Sequence, residues 1–287
     1  MEQNETLIKS RLSSFYTSTA ADYHRSHYID PIAYSPLQWR QRYVEMMIDR
    51  LSLPRGARIL DVGCGPGELI VSLLGRGFDV WGVDISQGMV DEAIKGVRSN
   101  GWPNFSQVAV GDIERLDFEA NTFDVVVAAG VIEYQRTDDP ALREMNRVLK
   151  PGGHVIINVT NGLSHLNFID GAYRWMKKRP QTRKMLDAAK RALGRGPLND
   201  LPDRRTHVPR RFDRALSRHG FTKVGQNYFH FSPLPTPLDQ VFKSFSSRVG
   251  QKMEALSDTS LGVLGGGYQV LARKGGVNAK SNGAGAR

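Results

Sequence analysis

Three short runs carry carboxylates and glycines at spacings that suit the capture of a nucleoside. In Ile59-Leu60-Asp61-Val62-Gly63-Cys64-Gly65-Pro66-Gly67 an apolar run ends in alternate glycines and leads into Glu68–Leu74, which has helical spacing. A strand that ends in a glycine turn and opens into a helix presents backbone N–H groups to a ligand, and glycine permits the close approach and positive φ that larger residues resist. Asp84 closes Val80-Trp81-Gly82-Val83-Asp84, 23 residues after Asp61, where a carboxylate typically receives the two ribose hydroxyls of an adenosine. Asp112 follows in Val110-Gly111-Asp112-Ile113, where it can accept from an exocyclic amine. A capping role would account for either carboxylate alone; together they favour a nucleoside pocket. The dinucleotide fingerprint would want glycine where Glu68 stands, and Asp61 and Glu68 add negative charge where a pyrophosphate would lie. A ligand bearing an amine and a sulfonium, both cationic, suits the carboxylates better.

The elements that must position these groups follow from periodicity. From Arg58 to about Thr160, short β-branched runs alternate with helical stretches, the pattern of a parallel sheet covered by helices. Strands are predicted at Ile59–Gly63, Asp79–Asp84, Ser106–Gly111, Phe123–Ala129 and His154–Val159. Helices are predicted at Glu68–Leu74, Gln87–Arg98 and Pro140–Leu149, the last with Asp139 as N-cap and Pro151-Gly152-Gly153 as its stop. Residues 1–55 form an N-terminal helical cap that includes Ser35–Leu51, whose stripe of Trp39, Tyr43, Met46, Met47 and Ile48 reads as packing against the sheet. Phe15–Asp30 holds Tyr16, Tyr23, His24, His27 and Tyr28, a dense set of polar aromatics for a packing arm. The core spans 56–160, and residues 161–206 are too long for a plain connection, so they read as a helical insertion. The C-terminal part of the sheet occupies 207–274, with a helix at Arg210–His219 and strands at Thr222–Phe231 and Tyr268–Lys274. The Gly- and Ala-rich tail 275–287 is expected to be disordered.

The motifs Leu60-Asp61-Val62-Gly63-Cys64-Gly65-Pro66-Gly67, Gly82-Val83-Asp84, Gly111-Asp112 and Leu149-Lys150-Pro151-Gly152-Gly153 resemble, in order, those of class I S-adenosylmethionine-dependent methyltransferases. The pattern is nearest to small-molecule and ubiquinone-pathway O-methyltransferases. The resemblance implies an α/β, doubly wound, seven-stranded and mostly parallel sheet whose last strand runs antiparallel. It implies S-adenosyl-L-methionine as cofactor: Asp61, Gly63, Gly65 and Gly67 around its methionine part, Asp84 at the ribose, Ile85, Ser86 and Met89 along the adenosine, Asp112 and Ile113 at the adenine, and Gly130 with Val131 beside the sulfonium. Arg40 or Arg42 is a candidate for the cofactor carboxylate, with solvated surface arginine as the plain alternative.

Methyl transfer from a sulfonium is an in-line displacement with an activated leaving group, so alignment and exclusion of water supply much of the rate, and a base matters for an alcohol or phenol. Ubiquinone-pathway enzymes often carry Glu-His after the fourth strand; this chain has Glu133-Tyr134. Tyr134 can orient an acceptor, and Glu133 can bind a cation or cap the local backbone. Candidate bases are His165, just past the fifth strand and the first choice, then His27, His24, His207 and His230, while His154 reads as structural. No metal site is expected.

Bulk properties narrow the partners. The 287 residues carry a net charge of +10, but residues 172–219 hold 15 basic against 4 acidic residues, so that segment accounts for the whole excess. Arg183, Lys184, Lys190 and Arg191 can share a helical face opposite Met185, Leu186, Ala189 and Leu193. Such a helix caps a small-molecule or lipid-like acceptor, lies on an anionic membrane surface, or is a solvated charge face. A nucleic-acid partner is the weaker reading, because no Asn-Pro-Pro-Tyr-type motif follows the fourth strand. A non-catalytic cofactor-binding module is a third alternative. The single cysteine, Cys64, the polar N-terminus and the lack of a long apolar run point to a cytoplasmic protein, at most peripheral to the inner face of a membrane.

Overall fold

The computed structural model describes residues 2–29, 36–167, 171, 179–192, 204–234 and 242–275. Seven strands make one sheet: β1 (Arg58–Val62), β2 (Asp79–Asp84), β3 (Val108–Val110), β4 (Phe123–Ala129), β5 (Leu149–Thr160), β6 (Phe221–Phe229) and β7 (Gly267–Lys274). Their order is β3-β2-β1-β4-β5-β7-β6. The first five pair in parallel, and β7 runs antiparallel to both β5 and β6, as the resemblance implied. The order reverses between β1 and β4, and the carboxyl ends of those strands open the crevice in which α/β sheets bind ligands.

Alternation along the strands sends neighbouring side chains to opposite faces, and both faces are covered, which is why the strands read as continuous apolar runs. Leu60, Val62, Val126 and Ala128 pack with Met145 and Phe212 on one face. Ile59, Val125 and Val127 pack with Met47, Ile48, Ile70 and Leu73 on the other. The helices that flank the site are α1 (Glu2–His24), α2 (Pro36–Asp49), α3 (Glu68–Gly75), α4 (Gln87–Ser99) and α5 (Asp139–Val148). The stripe on α2 does pack as a core face, with Tyr43, Val44, Met47 and Ile48 buried and Met46 exposed.

Most boundaries shift by a residue or two from the sequence reading, and two of the differences bear on the site. Helix α5 stops before Pro151-Gly152-Gly153, but the following strand begins at Leu149, which pairs with Phe123 before the register shifts to Val125 and His154. Asp138, rather than Asp139, is the N-cap of α5, and its side chain makes no capping bond; it binds His207 Nε2 at 3.1 Å and the Arg205 guanidinium. Of the proposed insertion, the described parts are residues 161–167, residue 171, residue 179 with the helix Pro180–Ala192, and the returning residues 204–206. Leu186, Ala189, Lys190, Arg191, Leu193 and the tail 276–287 lie outside what is described of side chains or backbone.

Candidate active site

The glycine loop after β1 takes the conformation its residues allow. Gly63, Gly65 and Gly67 have φ of +71°, +51° and +86°. A Cβ on Gly63 would meet Val131 Cβ at 2.8 Å, and one on Gly67 would meet Ala93 Cβ at 2.9 Å, whereas one on Gly65 would meet open space. The three glycines thus serve different ends. Gly63 and Gly65 line a cavity of about 700 Å³, while Gly67 caps α3 and lets it pack on α4.

Asp84 Oδ2 accepts from Gly65 N at 2.9 Å and Oδ1 accepts from Ser86 N at 2.9 Å. Those two bonds fix the carboxylate at the end of β2, and an ionised carboxylate has about four acceptor positions, so capacity remains for two hydroxyls. Burial raises the Asp84 pKa, against the lowering effect of these backbone N–H groups. Asp61 is buried and does not line the cavity. Desolvation pushes its carboxyl up to about 7, with Arg40 pulling it down and Asp84 pushing it further up. Arg40 does line the cavity. Burial opposes its charge, but Tyr28, Tyr23, Glu133 and Asp61 together hold its pKa above the ordinary value. A Cβ on Gly130 would collide with the Arg40 guanidinium, so glycine at the end of β4 is what lets the arginine enter.

Helix α1 lies across the open side of this crevice. Lys9 Nζ donates to Asp112 Oδ2 at 2.7 Å and pairs with Glu114, Ser13 Oγ donates to the Ile85 carbonyl at 2.9 Å, and Thr17 Oγ1 lies 3.0 Å from Ser86 Oγ. Farther along, His24 Nε2 lies 2.6 Å from Glu68 Oε1. Ser86 is fully buried and caps α4 by accepting from Met89 N at 3.2 Å, so it supports the site from outside the cavity wall. Leu12, Phe15, Tyr16 and Tyr23 of α1 complete that wall, and Arg204, returning from the basic segment, reaches it as well.

At the far end of the cavity the residues after β4 meet α1. Tyr134 Oη lies 3.0 Å from Tyr16 Oη, and the Tyr16 ring stands edge-on to those of Tyr134 and Tyr23 at 6.3 and 6.0 Å. Burial is the first cause that raises both hydroxyls, so they stay protonated. His27 also lines the cavity; its ring stacks on Tyr23 at 4.4 Å and its Nδ1 lies 2.8 Å from the Tyr23 carbonyl.

Of the residues singled out from sequence, Gly63, Gly65, Asp84, Ile85, Met89, Asp112, Ile113, Gly130, Arg40, Tyr134 and His27 share this cavity, while Asp61, Gly67 and Ser86 support it from behind. His165 is exposed and does not line it. The turn that leads to His165 is stitched elsewhere: Asn161 Nδ2 donates to the carbonyls of Val263 and Gly265, and Ser164 Oγ to that of Leu264. His207 pairs with Asp138, and His154 and His230 line no part of the cavity either. Sequence reasoning missed Lys9, Tyr16 as the partner of Tyr134, and Arg204. Each is defined by a partner far away in the chain, and only the aromatic density of Phe15–Asp30 hinted at one of them.

Residues 60–157 match the family model described as a methyltransferase domain. Among curated relatives, the chain is 32% identical over 136 residues to methyltransferase GfsG of Streptomyces halstedii, covering 47% of this chain and 49% of the relative. It is 28% identical over 162 residues to the ubiquinone biosynthesis O-methyltransferase of Marinobacter nauticus, covering 56% and 63%. The match thus spans about half to three fifths of these relatives' own lengths. In fold it is similar to the crystal structure of magnesium protoporphyrin IX methyltransferase from Synechocystis PCC 6803 with bound SAH, with a TM-score of 0.58, 15% identity, and coverage of 93% of this chain and 99% of that one.

Proposed function

Residues 60–157 form a class I, Rossmann-like S-adenosylmethionine-dependent methyltransferase domain, and from that premise we propose that the whole chain methylates a small or lipid-like molecule at an oxygen. The observation that carries this reading is one cavity lined by Asp84 and Asp112, by the Tyr16–Tyr134 hydroxyl pair and by residues of helix α1. Its volume of about 700 Å³ falls within the range of roughly 300–1,000 Å³ usual for small-molecule sites. The cofactor's sulfonium supplies an activated methyl group. Asp84 receives the ribose hydroxyls, Asp112 and Ile113 the adenine, the Gly63–Gly65 backbone the methionine part, and Arg40 its carboxylate. Tyr134, held by Tyr16, orients the acceptor, and His27 shapes the wall beside it. His165 has no part in this reading, being exposed and outside the cavity.

The basic segment supports a lipid-like acceptor or an anionic membrane surface as partner. In the helix Pro180–Ala192, Met185 is 73% exposed beside the exposed Arg183 and Lys184, an arrangement that suits a charged interface with an apolar tail beneath it. Among the described residues no helix is long and apolar enough to cross a membrane, and a cytoplasmic protein that attaches peripherally is the corresponding proposal.

The test is transfer of labelled methyl from S-adenosyl-L-methionine into fractionated metabolite, lipid, RNA and protein extracts, with Asp84→Ala as control. Label in a small-molecule or lipid fraction, lost in the variant, is the expected outcome. Label in RNA or protein would replace this reading with a macromolecular one. Cofactor binding without transfer to any fraction would leave a non-catalytic module.

A further inference from the structure

Among the described residues, four carboxylates line the cavity: Asp22, Asp84, Asp112 and Glu133. Asp22 faces Arg25 across 4.0 Å at an exposed position. Both oxygens of Asp84 accept backbone N–H groups, and Asp112 is taken by Lys9 and by Glu114 N. Glu133 is different. It is 4% exposed, its Oε1 accepts from Thr160 Oγ1 at 3.2 Å, and its Oε2 is buried with no hydrogen-bond partner.

A buried carboxylate oxygen without a donor is costly and calls for an explanation, of which a role in catalysis is one where the residue lines a cavity. The main chain around Glu133 is rigidly set: it lies in a 3-10 turn, Ile132–Tyr134, and its carbonyl accepts from Arg205 N at 2.8 Å. Its charge acts on Arg40, Tyr16 and Tyr134, residues that line the cavity. The carboxylate therefore belongs to a residue of the cavity wall next to Tyr134, one oxygen oriented by Thr160 and the other without a donor, the arrangement of a base held by a third group. Among the described residues, the histidine that shares the cavity, His27, is stacked on Tyr23 with its Nδ1 engaged by the Tyr23 carbonyl. Opposite in sign, the Arg204 charge acts on the same two tyrosines.

We infer that Glu133 is the proton acceptor of the reaction: Oε2 receives the hydroxyl proton of an acceptor that binds with its O–H un-ionised. The inference rests on the methyltransferase reading above. In the balanced step the acceptor oxygen forms the bond to the methyl carbon, the carbon–sulfur bond breaks with its electron pair passing to sulfur, and the proton passes to Glu133. Arg204 stabilises the negative charge that grows on the oxygen, and Thr160 positions the carboxylate.

The experiment compares wild type with Glu133→Gln and Thr160→Val, using labelled S-adenosyl-L-methionine and the metabolite or lipid extract fraction that takes label from wild type. General bases contribute about 10²–10⁴-fold, so Glu133→Gln should lose on the order of 10²-fold in transfer and Thr160→Val less. The residual rate of Glu133→Gln should climb with pH as the acceptor ionises unaided. Binding of S-adenosylhomocysteine by calorimetry should be unchanged, and the melting temperature of Glu133→Gln should stay within a few degrees of wild type, because glutamine keeps the size of the side chain and an oxygen that accepts from Thr160 Oγ1. Transfer by Glu133→Gln within a few-fold of wild type overturns the assignment. So does a loss of transfer that tracks a lowered melting temperature, since that marks a structural role. Silence of wild type in every fraction overturns the methyltransferase reading and this inference with it, an outcome distinct from an active Glu133→Gln.

Discussion

Replacing Asp61 by Asn should make the protein more stable, and increasingly so as pH rises. The carboxyl is raised from 3.8 to about 7 by burial. Between those two values the unfolded chain has released the Asp61 proton while the folded chain keeps it. The folded state then binds one more proton, and stability falls as pH rises through that window before levelling off above 7. Every tenfold difference in proton affinity between the two states is worth about 1.4 kcal/mol, so relative to the fully protonated limit the carboxyl costs the fold about 4 kcal/mol at pH 8 and about 1.5 kcal/mol at pH 5. Asparagine, an uncharged stand-in for the protonated acid, removes that cost. Urea melts at pH 5 and pH 8 should show Asp61→Asn ahead of wild type at both, with the margin larger by a few kcal/mol at pH 8. In heat this corresponds to several degrees. A pH-independent margin, or a variant less stable at pH 8, would refute the assignment of a carboxyl whose burial outweighs the pull of Arg40. In wild type the same ionisation should tighten binding of an amine-bearing cofactor between pH 6 and pH 8, and calorimetry with S-adenosylhomocysteine should find that pH dependence reduced in the variant.

Gly63→Ala combines a positive φ with a Cβ 2.8 Å from Val131 Cβ, a strain of roughly 1–3 kcal/mol; S-adenosylhomocysteine affinity should fall on the order of tenfold or more, read by calorimetry. Charge reversal of Arg183 and Lys184 should weaken flotation with vesicles containing phosphatidylserine and leave cofactor affinity unchanged; no flotation of wild type on such vesicles removes the membrane proposal.

The core was legible because its signals are local. Strand, glycine loop and helix follow one another within a few residues, and Asp84 announces itself at the end of an apolar run. What escaped was set by contacts between segments distant in sequence. Lys9 becomes a site residue only by meeting Asp112, and Tyr16 only by meeting Tyr134. A position just past the fifth strand pointed to His165, but the direction of that turn is decided by carbonyls about a hundred residues later. Glu133 was visible as a residue type and ambiguous as to role, because nothing local says which oxygen lacks a donor. Ser86 reads as a ligand contact from position alone; its hydroxyl is spent on capping α4 and meeting Thr17.

Helix α1 bears on what happens between reaction cycles. Among its described side chains only Leu12 and Ala20 are buried, so it is not anchored as a core helix is; it is laced down by hydrogen bonds and ion pairs to the same loops that would hold the cofactor. Any free energy that α1 lends to a ligand beneath it must be returned by that ligand to α1, since coupling between two binding events is reciprocal. On the proposed reading, cofactor exchange would depend on Lys9, Ser13, Thr17 and His24, which tie α1 to those loops, as much as on the groups that touch the methyl.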